Sequence, residues 1–215
     1  MDLREWGPIY REIVRDFGFD IAKDERCACI LSHLLTLKGS FESTKSKLLH
    51  IINGRKVLVC GKAPTLIRDI KSGKIEARET IIAADGATSM LLAQGVIPHV
   101  IVSDLDGSIK DLKLANAMCA IMVIHAHGDN INAIEAHVPS LSTVLGTTQA
   151  RPLTNVLNIG GFTDGDRAVF LAKEYGARKV SAIGFDFFDS NVSPIKKKKL
   201  QWAKQLLQEA DVIFK

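Results

Sequence analysis

The sequence predicts an α/β fold: a Rossmann-like open sheet, mostly parallel, with helices on both faces and a small helical N-terminal region before it. From residue 56 onward, short runs rich in β-branched residues alternate with helical segments, and crossovers of that length join parallel strands. In addition, two successive strands end in the same order of acid, glycine and helix. We expect residues 1–54 to form the helical region and residues 55–215 to form one α/β domain.

Candidate caps and glycines divide the N-terminal region into two or three helices. The helical segments run over 4–17, 20–38 and 40–52, with Gly18 and Gly39 between them. Asp20 and Ser40 are placed to start the second and third of these helices. Since no cluster of reactive side chains occurs here, we expect this region to pack on the sheet or to form a homo-oligomer contact.

Seven apolar runs predict the strands of the α/β domain, and the segments between them are helical. The strands run over 57–60, 80–84, 100–103, 121–125, 142–145, 156–159 and 179–183, and 212–214 adds a short final strand. The helices run over 65–70, 87–94, 111–118, 131–136, 166–175 and 199–210. Strands without polar alternation are typical of a parallel sheet that is buried on both faces.

Length, composition and charge exclude several classes of protein. The 215 residues, 47% of them hydrophobic, suffice for one substantial core, and no apolar run approaches the roughly 20 residues that cross a bilayer. The N-terminus lacks the features of an export signal, so we expect a cytoplasmic protein without a membrane partner. Much of the net charge of +4 comes from Lys196–Lys199, which we interpret as a solvated helix start. Without interleaved aromatic residues, it predicts no nucleic-acid partner.

Two carboxylates follow the apolar strand that ends at Ser103. Asp104 and Asp106 are two residues apart, and in an extended chain such residues point to the same side. Both carboxylates can then reach one hard cation, which suits Mg²⁺ that carries a substrate phosphate. The alternative is a pair of loop aspartates that cap the next helix.

A second acidic strand end strengthens the metal hypothesis. The strand over 80–84 stops at Asp85 and Gly86, and a helix follows. Ligands bind at the carboxyl ends of the strands in open parallel sheets. Asp85, Asp104 and Asp106 should therefore lie together on that edge of the sheet.

Three further turns on this edge carry candidate binding residues. At Gly61 and Lys62, free backbone amides can hold an anion, although a plain strand-to-helix turn is the alternative. The turn over 125–130 holds two histidines but no obvious third zinc ligand, so it indicates either a polar ligand contact or a helix cap. In 160–168, Thr163 or Asp164 can cap a helix and Arg167 offers a cation near phosphate. Asp186 has two alternative roles: it orients a ligand, or it is a buried carboxylate whose hydrogen bonds are made within the protein.

Four segments, 84–89, 103–107, 125–130 and 160–167, together resemble the archaeal 6-hydroxymethyl-7,8-dihydropterin pyrophosphokinases. This family is in turn similar to thiamin pyrophosphokinase, and the resemblance spans about Arg55 to Asp186. It implies Mg²⁺-dependent transfer of diphosphate from ATP to the pterin hydroxymethyl group, with release of AMP, in folate or tetrahydromethanopterin biosynthesis. Few residues follow Asp186, so the C-terminal β domain of thiamin pyrophosphokinases is not expected here, which favours pterin over thiamin.

For this chemistry, Asp104 and Asp106 would hold Mg²⁺, and Asp85 would assist directly or through water. These three residues and Arg167 form the expected catalytic set, with Arg167 and Lys62 stabilising developing charge. Asp85 or Asp129 would accept the hydroxyl proton. The residues expected to contact ATP or the pterin are Gly61, Lys62, Gly86, Ser89, His127, Asp129, Asn130, Thr163, Asp164 and Asp186. Alternatives are transfer to thiamin, a sugar-nucleotide transferase and a non-catalytic nucleotide-binding regulator.

Overall fold

An eight-stranded sheet, in which all the paired strands run parallel, organises the computed structural model, which describes residues 3–215. Its strands are β1 (Lys56–Cys60), β2 (Thr80–Ala84), β3 (Val100–Ser103), β4 (Ile121–Ala126), β5 (Val144–Thr148), β6 (Val156–Leu157), β7 (Lys179–Ile183) and β8 (Ile213–Phe214). The predicted fold class is confirmed. The strand order is β6-β5-β4-β3-β2-β1-β7-β8.

The direction of chain growth across the sheet reverses beside β1. From β1 the chain adds β2 to β6 on one side, and it then returns to add β7 and β8 on the other side. In open parallel sheets, ligand-binding crevices form outside the carboxyl ends of strands at such a reversal. The β1–β7 junction is therefore the position at which the topology favours a binding site.

Helices cover both faces of the sheet and bury two apolar cores. The helices are α1 (Leu3–Phe17), α2 (Ile21–Lys38), α3 (Phe41–Ile52), α4 (Thr65–Lys71), α5 (Ala87–Ala93), α6 (Ile109–Ala117), α7 (Ile131–His137), α8 (Asp164–Glu174) and α9 (Pro194–Glu209). On one face, α1, α3, α8 and α9 contribute buried residues such as Trp6 and Leu206. On the other face, α2 and α4 to α7 contribute residues such as Leu31 and Leu112. None of the described helices is both long and apolar enough to cross a membrane.

The N-terminal helices pack directly on the sheet, as one of the two predicted roles requires. The α2 helix lies against β4 and β5, and a Cβ atom at Gly146 of β5 would be only 2.6 Å from Leu35 Cδ1. Glycine is therefore the residue that allows this close approach. The α1 and α3 helices pack on the opposite face.

The C-terminal helix starts earlier than predicted. Pro194 occupies the first turn of α9, and Ser193 Oγ accepts a hydrogen bond of 3.2 Å from the Lys196 backbone nitrogen. Serine before proline is a strong start signal, because it caps the helix and proline needs no donor there. The lysine run thus lies in the first two turns of α9 instead of before the helix.

Candidate active site

A cavity of about 410 Å³ opens at the carboxyl edge of the sheet. It extends from the β1–β7 junction across the ends of β2, β3 and β4, and α8 and α9 contribute its other walls. The predicted site residues that line it are Gly61, Lys62, Asp85, Gly86, Asp104, Asp106, His127, Asp129, Thr163, Asp164 and Asp186. Ser89, Asn130 and Arg167 were also predicted to take part, but they do not line it.

Three carboxylates converge in the middle of this cavity. One side-chain oxygen each from Asp85, Asp104 and Asp106 lies within 4.8 Å of the other two. We call these three residues the carboxylate cluster. Asp85 is buried, Asp104 is half-buried and Asp106 is exposed, so the cluster is open to the cavity on one side.

The backbone brings Asp104 and Asp106 together by a tight turn and not by the extended conformation that was predicted. The strand β3 ends at Ser103, and Leu105 adopts a φ of +69°. The Leu105 nitrogen donates to Ser103 Oγ at 2.8 Å, and the Asp106 nitrogen donates to Asp104 Oδ1 at 3.2 Å. Aspartate and serine side chains stabilise turns through such local hydrogen bonds. The prediction assumed an extended chain and did not include them.

Asp85 is held in a strained backbone conformation at the end of β2. Its φ is +34°, and its nitrogen donates to Val102 O at 2.8 Å. Ser103 Oγ donates to Asp85 Oδ1 at 2.5 Å. A Cβ atom at Gly107 would overlap the Asp85 carboxyl group, so the glycine gives this carboxylate its space. Strain of this kind is concentrated at functional sites.

Burial and neighbouring charge change the acidity of the cluster. Burial raises the pKa of Asp85 to about 7, and the negative charges of Asp106 and Asp104 act in the same direction, although the Ser103 hydrogen bond opposes them. Burial also acts to raise the pKa of Asp104, but the interactions with His127 and Asp106 together outweigh it and the pKa is lowered. His127 Nε2 lies 3.4 Å from Asp104 Oδ2. The cluster therefore concentrates negative charge that a bound cation would neutralise.

The start of α8 adds a further acid, Asp164, to the same cavity. Burial raises the pKa of Asp164 well above its ordinary value, and the charges of Asp104 and Asp85 raise it further. Thr163 is the N-cap of α8 and forms a capping box with Asp166. Of the two residues predicted to cap this helix, Thr163 does so, and Asp164 is left to face the cavity.

Arg167 is fully buried behind the cavity wall, so the structure does not place it to contact a ligand as predicted. Its Nη1 and Nη2 atoms donate to the carbonyls of Gly160 and Phe162, both at 3.3 Å. Its charge acts to lower the pKa of Asp164. Arg167 thus holds the 160–162 turn and adds positive potential beneath the acids. The burial was not foreseen because arginine is rarely buried.

Asn130 and Ser89 also bind protein groups outside the cavity. Asn130 Nδ2 donates to the carbonyls of Asp104 and His125, both at 2.7 Å, and Asn130 Oδ1 accepts from the His127 nitrogen at 3.1 Å. Ser89 Oγ donates to Asp111 Oδ2 at 2.6 Å. Asn130 therefore positions the loops that carry Asp104 and His127, and Ser89 fixes the start of α6.

The turn after β1 offers the Lys62 side chain to an anion, whereas two of its backbone amides are engaged by protein groups. The nitrogens of Gly61 and Ala63 donate to the carbonyls of Ile183 and Gly184, at 2.9 and 2.8 Å. The amides of Gly61 and Ala63 are thus already engaged by protein hydrogen bonds. Lys62 lies over Gly86, where an added Cβ atom would be 2.9 Å from Lys62 Nζ.

Sequence reasoning missed two of the three lysines and the aromatic rings that line the cavity. Lys196 and Lys199 line it, since α9 returns over the edge of the sheet. Phe19, Phe162, Phe185 and Phe187 line it as well, together with His125 and Gln149. The lysine run was a visible signal, but its position over the sheet depends on a tertiary contact. Asp186 is exposed and lines the cavity, so of its two alternatives the buried carboxylate does not apply.

Comparison with known proteins identifies relatives along nearly the whole chain. Residues 32–192 match the family described as "6-hydroxymethylpterin diphosphokinase MptE-like". A protein from Pyrococcus furiosus named 6-hydroxymethyl-7,8-dihydropterin pyrophosphokinase is 43% identical over 97% of this chain and 94% of its own length. Proteins of the same name from Methanocaldococcus jannaschii and Methanothermobacter thermautotrophicus are 40% and 37% identical, each over 96% of this chain. They are covered over 95% and 94% of their own lengths.

One solved structure is a weaker match. The MAf glycosyltransferase from Magnetospirillum magneticum AMB-1 aligns with a TM-score of 0.42 and 19% identity. The alignment covers 74% of this chain and 29% of the glycosyltransferase. At this level of similarity the match carries no inference about function.

Proposed function

Because the chain belongs to the 6-hydroxymethylpterin diphosphokinase MptE-like family, we propose that it transfers diphosphate from ATP to 6-hydroxymethyl-7,8-dihydropterin and releases AMP. The observation that carries this proposal is the carboxylate cluster, which lies beside Lys62 in the cavity. The transfer needs groups that neutralise the charge of a triphosphate, and this cavity supplies acids for a metal and lysines for phosphate oxygens.

Mg²⁺ is the cofactor that the donor set fits. Asp85, Asp104 and Asp106 offer only oxygen atoms, within 4.8 Å of one another, and hard oxygen donors suit Mg²⁺ better than they suit zinc. Burial and, to a smaller extent, the neighbouring negative charges raise the pKa of Asp85, and a divalent cation would offset both effects. When bound, Mg²⁺ would neutralise phosphate charge during the transfer.

The protein's own residues would bind and orient the two substrates. Lys62, Lys196 and Lys199 are the cations that line the cavity, and they would hold phosphate oxygens of ATP. The oxygen of the pterin hydroxymethyl group forms a bond to the β-phosphorus, and the bond from that phosphorus to the oxygen of AMP breaks. With Asp85 engaged by the metal, the exposed carboxylate of Asp129 would accept the hydroxyl proton.

The alternative functions receive no support from the relatives. All three curated relatives have the pterin pyrophosphokinase name, which does not favour thiamin, a sugar nucleotide or a non-catalytic regulator. We further infer a place in pterin-cofactor biosynthesis, of the folate or tetrahydromethanopterin type, in the cytoplasm of an archaeon. The organisms of the three relatives support the last point.

A direct assay tests the proposal. The protein is incubated with ATP, Mg²⁺ and 6-hydroxymethyl-7,8-dihydropterin, and AMP and pterin diphosphate are quantified by mass spectrometry. We expect both products in equal amounts, with at least about a hundredfold less AMP when thiamin replaces the pterin. Binding of ATP without AMP release in the presence of the pterin would instead support the regulator. Preferential AMP release with thiamin would identify thiamin as the acceptor substrate.

A further inference from the structure

The first two turns of α9 lie beside the cavity and contain no buried side chain. The buried residues of this helix are Ala203, Leu206 and Leu207, all in its second half. Lys196 and Lys199, which we expect to hold phosphate oxygens, come before them. Apolar packing therefore fixes the C-terminal half of α9, and the position of the two lysines depends on other contacts.

Helical periodicity separates two sides of α9. One side lines the cavity and consists of Lys196, Lys199, Leu200 and Ala203. Their offsets of three, four and seven residues are those of a single helix face. Lys198 and Trp202 are four residues apart and share another side of the helix. The rotation of α9 about its axis therefore decides whether the lysines of the first side reach the cavity.

Asp16, in the last turn of α1, contacts both residues of the second side. Its Oδ1 atom lies 2.8 Å from Lys198 Nζ, and its Oδ2 atom accepts a hydrogen bond of 2.8 Å from Trp202 Nε1. Lys198 Nζ also donates to the Asp16 backbone carbonyl at 2.6 Å. The hydrogen bonds from Lys198 and Trp202 lower the pKa of Asp16, so the carboxylate is ionised at neutral pH. One carboxylate thus engages two successive turns of α9.

The α1 helix is a firm support for this contact. Trp6, Tyr10 and Ile13 are buried residues of α1 that belong to the apolar core on this face of the sheet. Trp6 Nε1 also donates to the Gln149 carbonyl at 2.9 Å, just after the end of β5. The core therefore sets the position of α1, and Asp16 transmits it to the half of α9 that has no buried residue.

Two contacts between lysines and aromatic rings extend this junction to the cavity. Lys198 Nζ lies 4.9 Å from the ring centroid of Phe17, and Lys199 Nζ lies 5.9 Å from that of Phe162. The two rings are in contact with each other, since their centroids are 5.1 Å apart. Phe162 lines the cavity, so the contact with its ring keeps Lys199 at the cavity wall.

We propose that Asp16 is a positioning residue for ATP: it holds the first two turns of α9 so that Lys196 and Lys199 face the triphosphate. This inference rests on the proposed function and adds to it an exposed residue that does not line the cavity. Asp16 carries a negative charge, which by itself disfavours a bound triphosphate. Its charge and its positioning role therefore predict opposite effects on ATP binding when Asp16 is removed.

The substitution Asp16→Ala tests which of these two effects dominates. It removes both side-chain contacts from an exposed residue, so the fold should be kept. The Kd of ATP with Mg²⁺ is measured by calorimetry without the pterin, and KM is measured for each substrate. We expect D16A to raise the Kd and KM of ATP at least about fivefold and to leave the KM of the pterin within about twofold. An unchanged or lower Kd of ATP in D16A would overturn the proposal.

Lys198→Met and Lys197→Met form a matched pair, which also keeps the test if D16A does not fold. Each removes one positive charge from the same turn, but Lys198 contacts Asp16, whereas Lys197 is exposed and does not line the cavity. We expect K198M to raise the Kd of ATP at least about fivefold and K197M less than about twofold. The D16A K198M double variant should fall well short of the product of the single effects. Equal effects of K198M and K197M would contradict the proposal.

Hydrogen exchange measures the hold on α9 directly. In D16A without ATP, the backbone amides of residues 198–202 should exchange at least about fivefold faster than in the native protein, whereas those of the buried helix α8 should keep their rates. Unchanged exchange over 198–202 would show that Asp16 does not hold α9 and would overturn the proposal. If the native protein binds ATP but releases no AMP with the pterin, the proposed function fails, and the Kd values and exchange rates still decide the role of Asp16.

Discussion

Asp24 Oδ1 accepts a hydrogen bond of 2.7 Å from the backbone nitrogen of Gly128 and thereby joins α2 to the turn that carries His127. A Cβ atom at Gly128 would lie 2.6 Å from Lys23 Cβ, so helix and turn are in close contact. The N-terminal helices are therefore part of the structure that shapes the cavity. They do more than cover the sheet.

Replacing Asp24 should affect both stability and activity. Asp24→Ala removes the acceptor used by Tyr10, Gln149 and Gly128, so we expect unfolding to become easier by about 2–4 kcal/mol. The kcat/KM should fall as well, because the hydrogen bond to Gly128 holds the turn that carries His127. Urea denaturation and steady-state kinetics measure the two effects. Glu25→Ala, an exposed change on the same helix, should alter stability by less than about 0.5 kcal/mol.

Neutralising either open carboxylate of the cluster should remove most of the activity. We expect Asp104→Asn and Asp106→Asn each to lower kcat at least about a hundredfold, because each removes charge from the proposed metal site. Rates are measured over a range of Mg²⁺ concentrations, with Asp211→Asn on the exposed surface as the control. Near-normal rates for both variants at limiting Mg²⁺ would contradict the metal assignment.

Asp85→Asn should stabilise the metal-free protein at alkaline pH. The folded state raises the pKa of Asp85 from 3.8 to about 7, so it favours the protonated acid. This contribution to stability is fully present below pH 4 and is lost as the pH rises through 7. The full shift corresponds to at most about 4 kcal/mol, and with relaxation we expect about 1–3 kcal/mol.

The measurement is urea denaturation of both proteins in chelator at pH 5 and pH 8. Asparagine keeps an oxygen that can accept from Ser103, so the variant should exceed the native protein in stability at pH 8 and by less at pH 5. Added Mg²⁺ should stabilise the native protein and have little effect on D85N. A variant less stable than the native protein at pH 8 would contradict the charge argument.

Gly86 and Lys62 should behave as one unit in ATP binding. A Cβ atom at Gly86 would lie 2.5 Å from Lys62 Cδ, so Gly86→Ala displaces a flexible side chain without unfolding α5. We expect G86A and Lys62→Met each to raise the KM of ATP about ten- to hundredfold. The double variant should be little worse than K62M alone, because both changes remove the same contact. Additive losses would show that Gly86 acts independently of Lys62.

The parts of the fold that local sequence determines were predicted well. The bounds of β2, β3 and β7 match the prediction, since each is an apolar run with a polar or glycine residue at its end. The carboxylate cluster was predicted for the same reason, because its residues follow the ends of β2 and β3. Tertiary effects were not visible: the left-handed Leu105 turn, the burial of Arg167 and the return of α9 over the cavity all depend on distant contacts. Asp24 had no local signal, because its partners are 14, 104 and 125 residues away.

The hydrogen bond from Gln149 to Asp24 spans 125 residues and has a consequence for biosynthesis. During translation, α2 leaves the ribosome long before β5, the strand on which it packs, has been made. Contacts of such long sequence separation form late and slow folding, because a large loop must close before they contribute. The N-terminal helices must therefore wait for most of the sheet, and the side of the cavity that β7 and α9 line is completed later still, because those elements are made after β5.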